Sequence, residues 1–230
     1  MLRKIIKYFS LADAIIWCSS VVLILLSYFI FRGSDALSLT ASLIGVTALL
    51  LCAKGHPAGQ VLVIIFSFIY AVISYSFSYY GEMLTYLGMS MPMAVLALIS
   101  WIKNPYEKGK AEVRVNRLPV REIPLFLALT VGVTVIFYFI LAFLGTANLF
   151  PSTLSVTTSF AAVYLTFRRS PYYAVAYALN DLVLILLWSL ASIENTEYLT
   201  VVFCFVAFLV NDLYGFISWR KMEKRQSGGH

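Results

Sequence analysis

Long apolar runs separated by short polar breaks form the main pattern along this chain of 230 residues. A helix that crosses a bilayer needs roughly 17 to 25 mainly apolar residues, and membrane barrels need an alternating pattern that this sequence lacks. The runs therefore predict eight transmembrane helices: Ala12 to Phe31, Leu37 to Ala53, Gln60 to Tyr79, Met83 to Ile102, Pro124 to Gly145, Phe150 to Phe167, Pro171 to Ala191 and Tyr198 to Trp219.

The distribution of basic residues predicts the orientation of these helices. The chain is 61% hydrophobic and 12% charged, which excludes an ordinary soluble domain. Cytoplasmic loops retain Lys and Arg. With both termini inside, sixteen of the 17 basic residues fall on the cytoplasmic side and Arg32 alone falls outside. We expect a multi-pass protein of a bacterial inner membrane with both termini in the cytoplasm.

An internal repeat predicts the architecture. The second and sixth segments each end in a basic turn followed by a proline, Pro57 or Pro171, and the fourth and eighth each end in Ile-Ser-Trp. We predict an all-α polytopic membrane protein with two parallel three-helix repeats joined by a linker helix (3+1+3), plus an extra N-terminal helix. The predicted boundaries are 1–36 for the extra helix, 37–103 and 147–221 for the repeats, 104–146 for the basic loop and linker helix, and 222–230 for a tail with a tag-like end.

Polar side chains inside the apolar runs are the candidates for function. An ionisable group at the bilayer centre costs at least ~2.5 to 3.5 kcal/mol, so such groups usually face a cavity. Amides suit a carboxamide or a ribose hydroxyl, and aromatic rings suit a flat heteroaromatic ring or a cation. We predict a substrate site from residues on matching helix faces: Asn180, Asp181, Trp188, Asn211, Asp212, Tyr214, Ser67, Tyr70 and Tyr177.

Each of these residues also has a structural explanation. Asn and Asp join helices, serine bonds its own helix, and tyrosines pack in cores. Trp188 and Trp219 also suit the aromatic belt at the membrane surface, and a Ser-Trp-x-Lys sequence at a helix end is a common interfacial anchor.

Several kinds of chemistry are excluded by the residues present. The three cysteines and two histidines show no disulfide or metal-ligand spacing, so neither a metal nor another cofactor is expected. The sequence has no P-loop, GxSxG or HExxH motif, which argues against an enzyme. The basic residues form short clusters between apolar runs, so a nucleic-acid partner is not expected.

Four short motifs stand in a defined order: Tyr79 to Leu84, Trp101 to Asn104, Asp181, and Tyr198 to Thr200 leading to Trp219. Together with the 3+1+3 pattern, they resemble the PnuC-type nicotinamide riboside transporters of the SWEET-like superfamily, over roughly Leu37 to Lys221. This resemblance implies facilitated diffusion of nicotinamide riboside, trapping of the product by a cytoplasmic kinase, and a homotrimer in membrane lipid. Two alternatives stay open: a proton-coupled transporter of a related vitamin such as thiamine or riboflavin, and a membrane sensor or scaffold that transports nothing.

Overall fold

A computed structural model describes residues 9–31, 36–76, 80–107, 109–146, 148–193 and 196–228. These ranges are almost entirely helical, which confirms the predicted all-α fold. The α-helices are α1 (Leu11–Ile30), α2 (Ala36–Ala53), α3 (Ala58–Ser76), α4 (Tyr80–Thr85), α5 (Met91–Lys103), α6 (Ile123–Phe143), α7 (Leu149–Phe167), α8 (Tyr173–Ala191) and α9 (Leu199–Ser227). Short 3-10 turns, Val120–Glu122 and Thr196–Tyr198, precede α6 and α9.

Seven helical spans of the described chain are long and apolar enough to cross a membrane. One of them, Gly81–Lys103, joins α4 to α5 through a π-helical turn, Tyr86–Ser90. Pro92 follows directly in the first turn of α5, where the missing amide donor costs little. The remaining helix, α7, has 19 residues but is rich in serine and threonine, many of them buried.

The contacts between helices follow the predicted repeat. The first helix of each repeat packs against the last helix of the other: α2 against α9, and α5 against α7. Within the repeats, α3 lies against α2 and α5, while α8 lies against α7 and α9. The linker helix α6 contacts α7, and α1 packs on α2 and α9. The 3+1+3 architecture with an extra N-terminal helix is therefore confirmed, and the exact boundaries stay a prediction.

Two tryptophans connect the repeats crosswise. The indole Nε1 of Trp101 donates to the carbonyl of Thr166 at 2.9 Å, and that of Trp219 donates to the carbonyl of Cys52 at 2.8 Å. Their side chains are 1% and 0% exposed. Membrane-interface anchoring is therefore the wrong explanation for these two tryptophans, because they are buried between the repeats.

The basic turns after α2 and α7 share one backbone conformation. Gly55 has a φ of 64° and Arg169 a φ of 57°, the left-handed region that few side chains favour. The segment before α6 binds both turns, since the Val113 amide donates to the Gly55 carbonyl and the Asn116 amide to the Arg169 carbonyl. We call the side of the bundle that carries these turns its basic end.

Candidate functional site

A cavity of about 90 Å³ lies between the two repeats. Its wall combines aromatic rings with a small set of buried polar groups, as in pockets for small ligands. The polar residues come from α3, α7, α8, α9 and the π-helical turn: Gln60, Ser67, Ser90, Ser159, Asn180, Asp181 and Asp212. The aromatic lining residues are Phe66, Tyr86, Tyr173, Tyr177, Phe205 and Phe208.

Asn180 is held in place by α7. Its side-chain carbonyl Oδ1 accepts hydrogen bonds from the hydroxyls of Ser155, Thr158 and Ser159, at 3.3, 2.9 and 3.0 Å. These bonds give three of the serine and threonine residues of α7 a role in positioning Asn180. Because they occupy the acceptor, they orient the amide so that its two N–H donors are the groups left for a ligand.

Asp181 and Asp212 bring two carboxyl groups together in the same wall. Both side chains are buried, and the two carboxyl groups lie close to each other between α8 and α9. Two neighbouring carboxyl groups in a buried site repel each other when both are ionised, so we expect them to hold one proton between them. Among the described residues, the buried Oδ2 of Asp181 has no hydrogen-bond partner. A ligand donor or a cation would satisfy this oxygen.

The repeat also relates the two sides of the cavity. Ser67 lies ten residues after Pro57, and Asp181 lies ten residues after Pro171. Both line the cavity, from α3 and α8. The same position therefore carries a neutral hydroxyl in the first repeat and a carboxyl group in the second, so the cavity is asymmetric in charge.

Five of the nine predicted site residues line the cavity: Ser67, Tyr177, Asn180, Asp181 and Asp212. Tyr70 and Trp188 lie behind it. The ring of Tyr70 is 4.5 Å from that of the lining residue Tyr86, and Trp188 contacts the Tyr70 hydroxyl and the Tyr198 ring.

Asn211 and Tyr214 face the N-terminal helix instead of the cavity. The Asn211 amide donates to the Ser20 hydroxyl at 2.8 Å, and the Tyr214 hydroxyl donates to Asp13 at 2.5 Å. Asp13 is completely buried and also accepts a bond from Lys54 at 2.9 Å. These polar residues of α9 and α1 therefore join the extra helix to both repeats.

Sequence reasoning missed several lining residues. Gln60 is buried at the start of α3, and its amide donates to the Cys52 sulfur at 3.3 Å. A glutamine within an apolar helix was a usable signal, since such groups usually face a cavity or a partner. The aromatic residues Phe66, Tyr86 and Phe208 had no such signal, because aromatic residues occur throughout the apolar runs.

A family model described as "Nicotinamide mononucleotide transporter" matches residues 35–221. The chain belongs to this transporter family. It is therefore a membrane transporter and not an enzyme, as the sequence predicted. The match begins after α1, which agrees with an extra helix outside the 3+1+3 core.

Individual members of the transporter family are similar over most of the chain. The chain is 29% identical over 204 residues to "Nicotinamide riboside transporter PnuC" of Neisseria mucosa, covering 87% of this chain and 78% of that protein. It is 22% identical over 213 residues to the protein of the same name from Haemophilus influenzae, covering 92% and 91%. A solved structure described as "Crystal structure of the Vitamin B3 transporter PnuC" superposes with a TM-score of 0.81 and 25% identity, covering 95% and 94%.

Proposed function

We propose that this chain carries nicotinamide riboside across the membrane by facilitated diffusion, through the cavity between its two repeats. The observation that carries the proposal is a buried wall with two carboxyl groups, an oriented amide and several aromatic rings. The riboside offers a positively charged pyridinium ring, a carboxamide and ribose hydroxyls. Each has a matching group in this wall. Asp181 and Asp212 attract the positive charge, the N–H donors of Asn180 suit an acceptor oxygen of the ligand, and Tyr177 offers its ring face to the pyridinium ring.

The charge of the cavity favours the riboside over the mononucleotide. Among the described lining residues, two are aspartates and none is lysine or arginine. The mononucleotide adds a phosphate of about −1.5 to −2 charge, which buried carboxyl groups repel. The riboside instead brings a positive ring, which they attract.

The size of the cavity implies a conformational change on binding. At about 90 Å³ it is smaller than small-molecule pockets, which usually measure about 300 to 1,000 Å³. The π-helical turn lies beside it and provides Tyr86 and Ser90 to the wall. Such turns often mark functional positions in helices. We expect the ligand to enter by displacement of this segment and of the aromatic side chains around it.

Calorimetric titration of the purified chain tests the choice of substrate. Nicotinamide riboside, nicotinamide mononucleotide, thiamine and riboflavin are compared under identical conditions. We expect heat of binding for the riboside and at least tenfold weaker binding for the mononucleotide, because about 1.4 kcal/mol of charge repulsion suffices for that ratio. Equal affinity for riboside and mononucleotide would contradict the electrostatic argument, and no binding of either would refute the proposed substrate.

Proton coupling is the second candidate mechanism, and the contact between Asp181 and Asp212 favours it. A pair of carboxyl groups that holds a proton is the type of group that relays protons in coupled transporters. Uptake into kinase-free vesicles distinguishes the two mechanisms. Facilitated diffusion predicts equal final concentrations on both sides with or without a protonophore, whereas coupling predicts accumulation that a protonophore abolishes.

The cellular setting belongs to the same proposal. Exposed apolar side chains cover the outer faces of the bundle, including Phe139 and Phe143 of α6, as expected for contact with lipid. By the positive-inside rule we expect the basic end to face the cytoplasm, with both termini on the cytoplasmic side of a bacterial inner membrane. Phosphorylation by a cytoplasmic kinase then traps the product, and the resemblance implies assembly as a homotrimer.

A further inference from the structure

Arg169 occupies a backbone position that glycine occupies in the first repeat. The equivalent residue, Gly55, tolerates a φ of 64°, whereas an arginine at 57° is strained. The two turns otherwise share their backbone hydrogen bonds, since the amides of Gly55 and Arg169 donate to the matching carbonyls of Cys52 and Thr166. Strain of this kind at one residue points to a role for its side chain.

The guanidinium group of Arg169 has donors without partners. Among the described residues, its Nε and Nη1 are buried and donate to no hydrogen-bond acceptor, and Nε of the neighbouring Arg168 is also buried without an acceptor. A buried donor left unpaired costs about 1 to 3 kcal/mol, and more when it is charged. Each such donor in a native protein calls for a ligand, an ion or a water molecule.

The surroundings of Arg169 are positive. Burial, followed by the neighbouring charges of Arg168 and Arg114, lowers the pKa of Arg169. Glu122 provides the nearby carboxylate, but it accepts from Arg168 at 2.5 Å and from Tyr164 at 2.7 Å. No ion pair of Arg169 is found in the described parts of the chain, so its charge is not compensated there.

We propose that Arg169, with Arg168 and Arg114, forms a binding site for a phosphate group at the basic end of the bundle. The planar guanidinium offers adjacent N–H donors that match phosphate oxygens, and a phosphate would also offset the repulsion among the three arginines. The phosphate is either a free anion or the headgroup of a phospholipid. This site is separate from the cavity, which Arg169 does not line.

The thermal unfolding of the purified chain is measured in increasing concentrations of inorganic phosphate. Chloride at equal ionic strength is the reference salt. Arg169→Gly is the main variant, because glycine suits the left-handed backbone and the variant is expected to fold. Arg169→Gln keeps a polar side chain. Arg121→Gln, which removes one exposed positive charge on the neighbouring 3-10 turn, is the control.

We expect phosphate to raise the unfolding temperature of the wild type and of Arg121→Gln. For both Arg169 variants, the apparent affinity for phosphate is expected to fall by about tenfold or more, because a hydrogen bond to a charged group contributes about 1.5 to 3 kcal/mol. A second arm counts phospholipids retained by each protein in native mass spectrometry. Retention lost only in the Arg169 variants identifies a lipid headgroup, and a phosphate response lost only in those variants identifies a free anion. If the Arg169 variants match Arg121→Gln in both arms, the proposal is overturned.

Discussion

Replacing Asp181 and Asp212 together is expected to weaken binding of nicotinamide riboside much more than replacing either one alone. Because two neighbouring buried carboxyl groups do not readily ionise together, we expect the pair to hold one proton and to carry one negative charge. Asp181→Asn or Asp212→Asn puts an amide donor in place of the shared proton and leaves the other carboxylate charged. The single variants therefore keep the charge of the cavity, and only the double variant removes it.

The size of the effect follows from the charge. Two unit charges about 5 Å apart attract each other by about 3 kcal/mol at an effective dielectric constant of about 20. Since about 1.4 kcal/mol changes an affinity tenfold, the double variant is expected to bind the riboside about 100-fold more weakly. Each single variant is expected to lose less than about tenfold, which corresponds to one altered hydrogen bond.

The assay is calorimetry on the four purified proteins, with Glu107→Gln as the control. Glu107 is an exposed carboxylate whose ion pair with Lys110 lies outside the cavity. A reduced riboside, which lacks the ring charge, serves as the matched ligand and is expected to bind the double variant and the wild type within about tenfold of each other. If the double variant bound nicotinamide riboside as tightly as the wild type, or if both ligands lost affinity equally, the electrostatic reasoning would be refuted.

Three further predictions concern the packing of the bundle and are tested by unfolding in detergent. Asp13→Asn weakens the bonds from Lys54 and Tyr214 and is expected to lower the free energy of unfolding by about 1 to 3 kcal/mol, so unchanged stability would argue against anchoring of α1 by Asp13. Trp219→Phe leaves the Cys52 carbonyl without its donor, and Trp101→Phe does the same to Thr166. Each substitution is expected to lower the free energy of unfolding by about 1 to 3 kcal/mol, and a decrease in only one of the two variants would contradict the equivalence of the repeats. Gly59→Ala places a Cβ 2.7 Å from the Cys52 backbone nitrogen and is expected to lower the unfolding temperature, whereas Gly132→Ala meets nothing within 4 Å and is expected to leave or raise it. Equal effects of the two glycine variants would contradict the close contact of α2 and α3.

The helices and the repeat were predictable because both depend on local patterns. Apolar runs of sufficient length must become helices in lipid, and the structure has helices at the predicted places. The recurring proline and Ile-Ser-Trp predicted two equivalent units. The crosswise bonds of Trp101 and Trp219 then gave the tryptophans a role that the sequence could not assign, because it depends on contacts between the repeats.

The candidate site was predictable only in part, because contacts between distant segments decide which helix faces meet. Consecutive helical residues point about 100° apart, and the cavity is lined by both members of the Asn180-Asp181 pair but only by the aspartate of the Asn211-Asp212 pair. Asp212 lines it, while Asn211 and Tyr214 face α1, which lies outside the repeats. The partners of these residues, Ser20 and Asp13, come from a distant part of the chain, and hydropathy says nothing about which face of α9 that helix covers.

Flux of labelled nicotinamide riboside into liposomes containing the purified chain tests the central claim most directly. With no kinase and no ion gradient, the account predicts that label enters until its concentrations inside and outside are equal, and that the Asp181 and Asp212 double asparagine variant slows entry strongly at low substrate concentration. Entry no faster than into liposomes without protein would contradict transport by this chain. Unimpaired entry through the double variant would contradict passage through the cavity between the repeats.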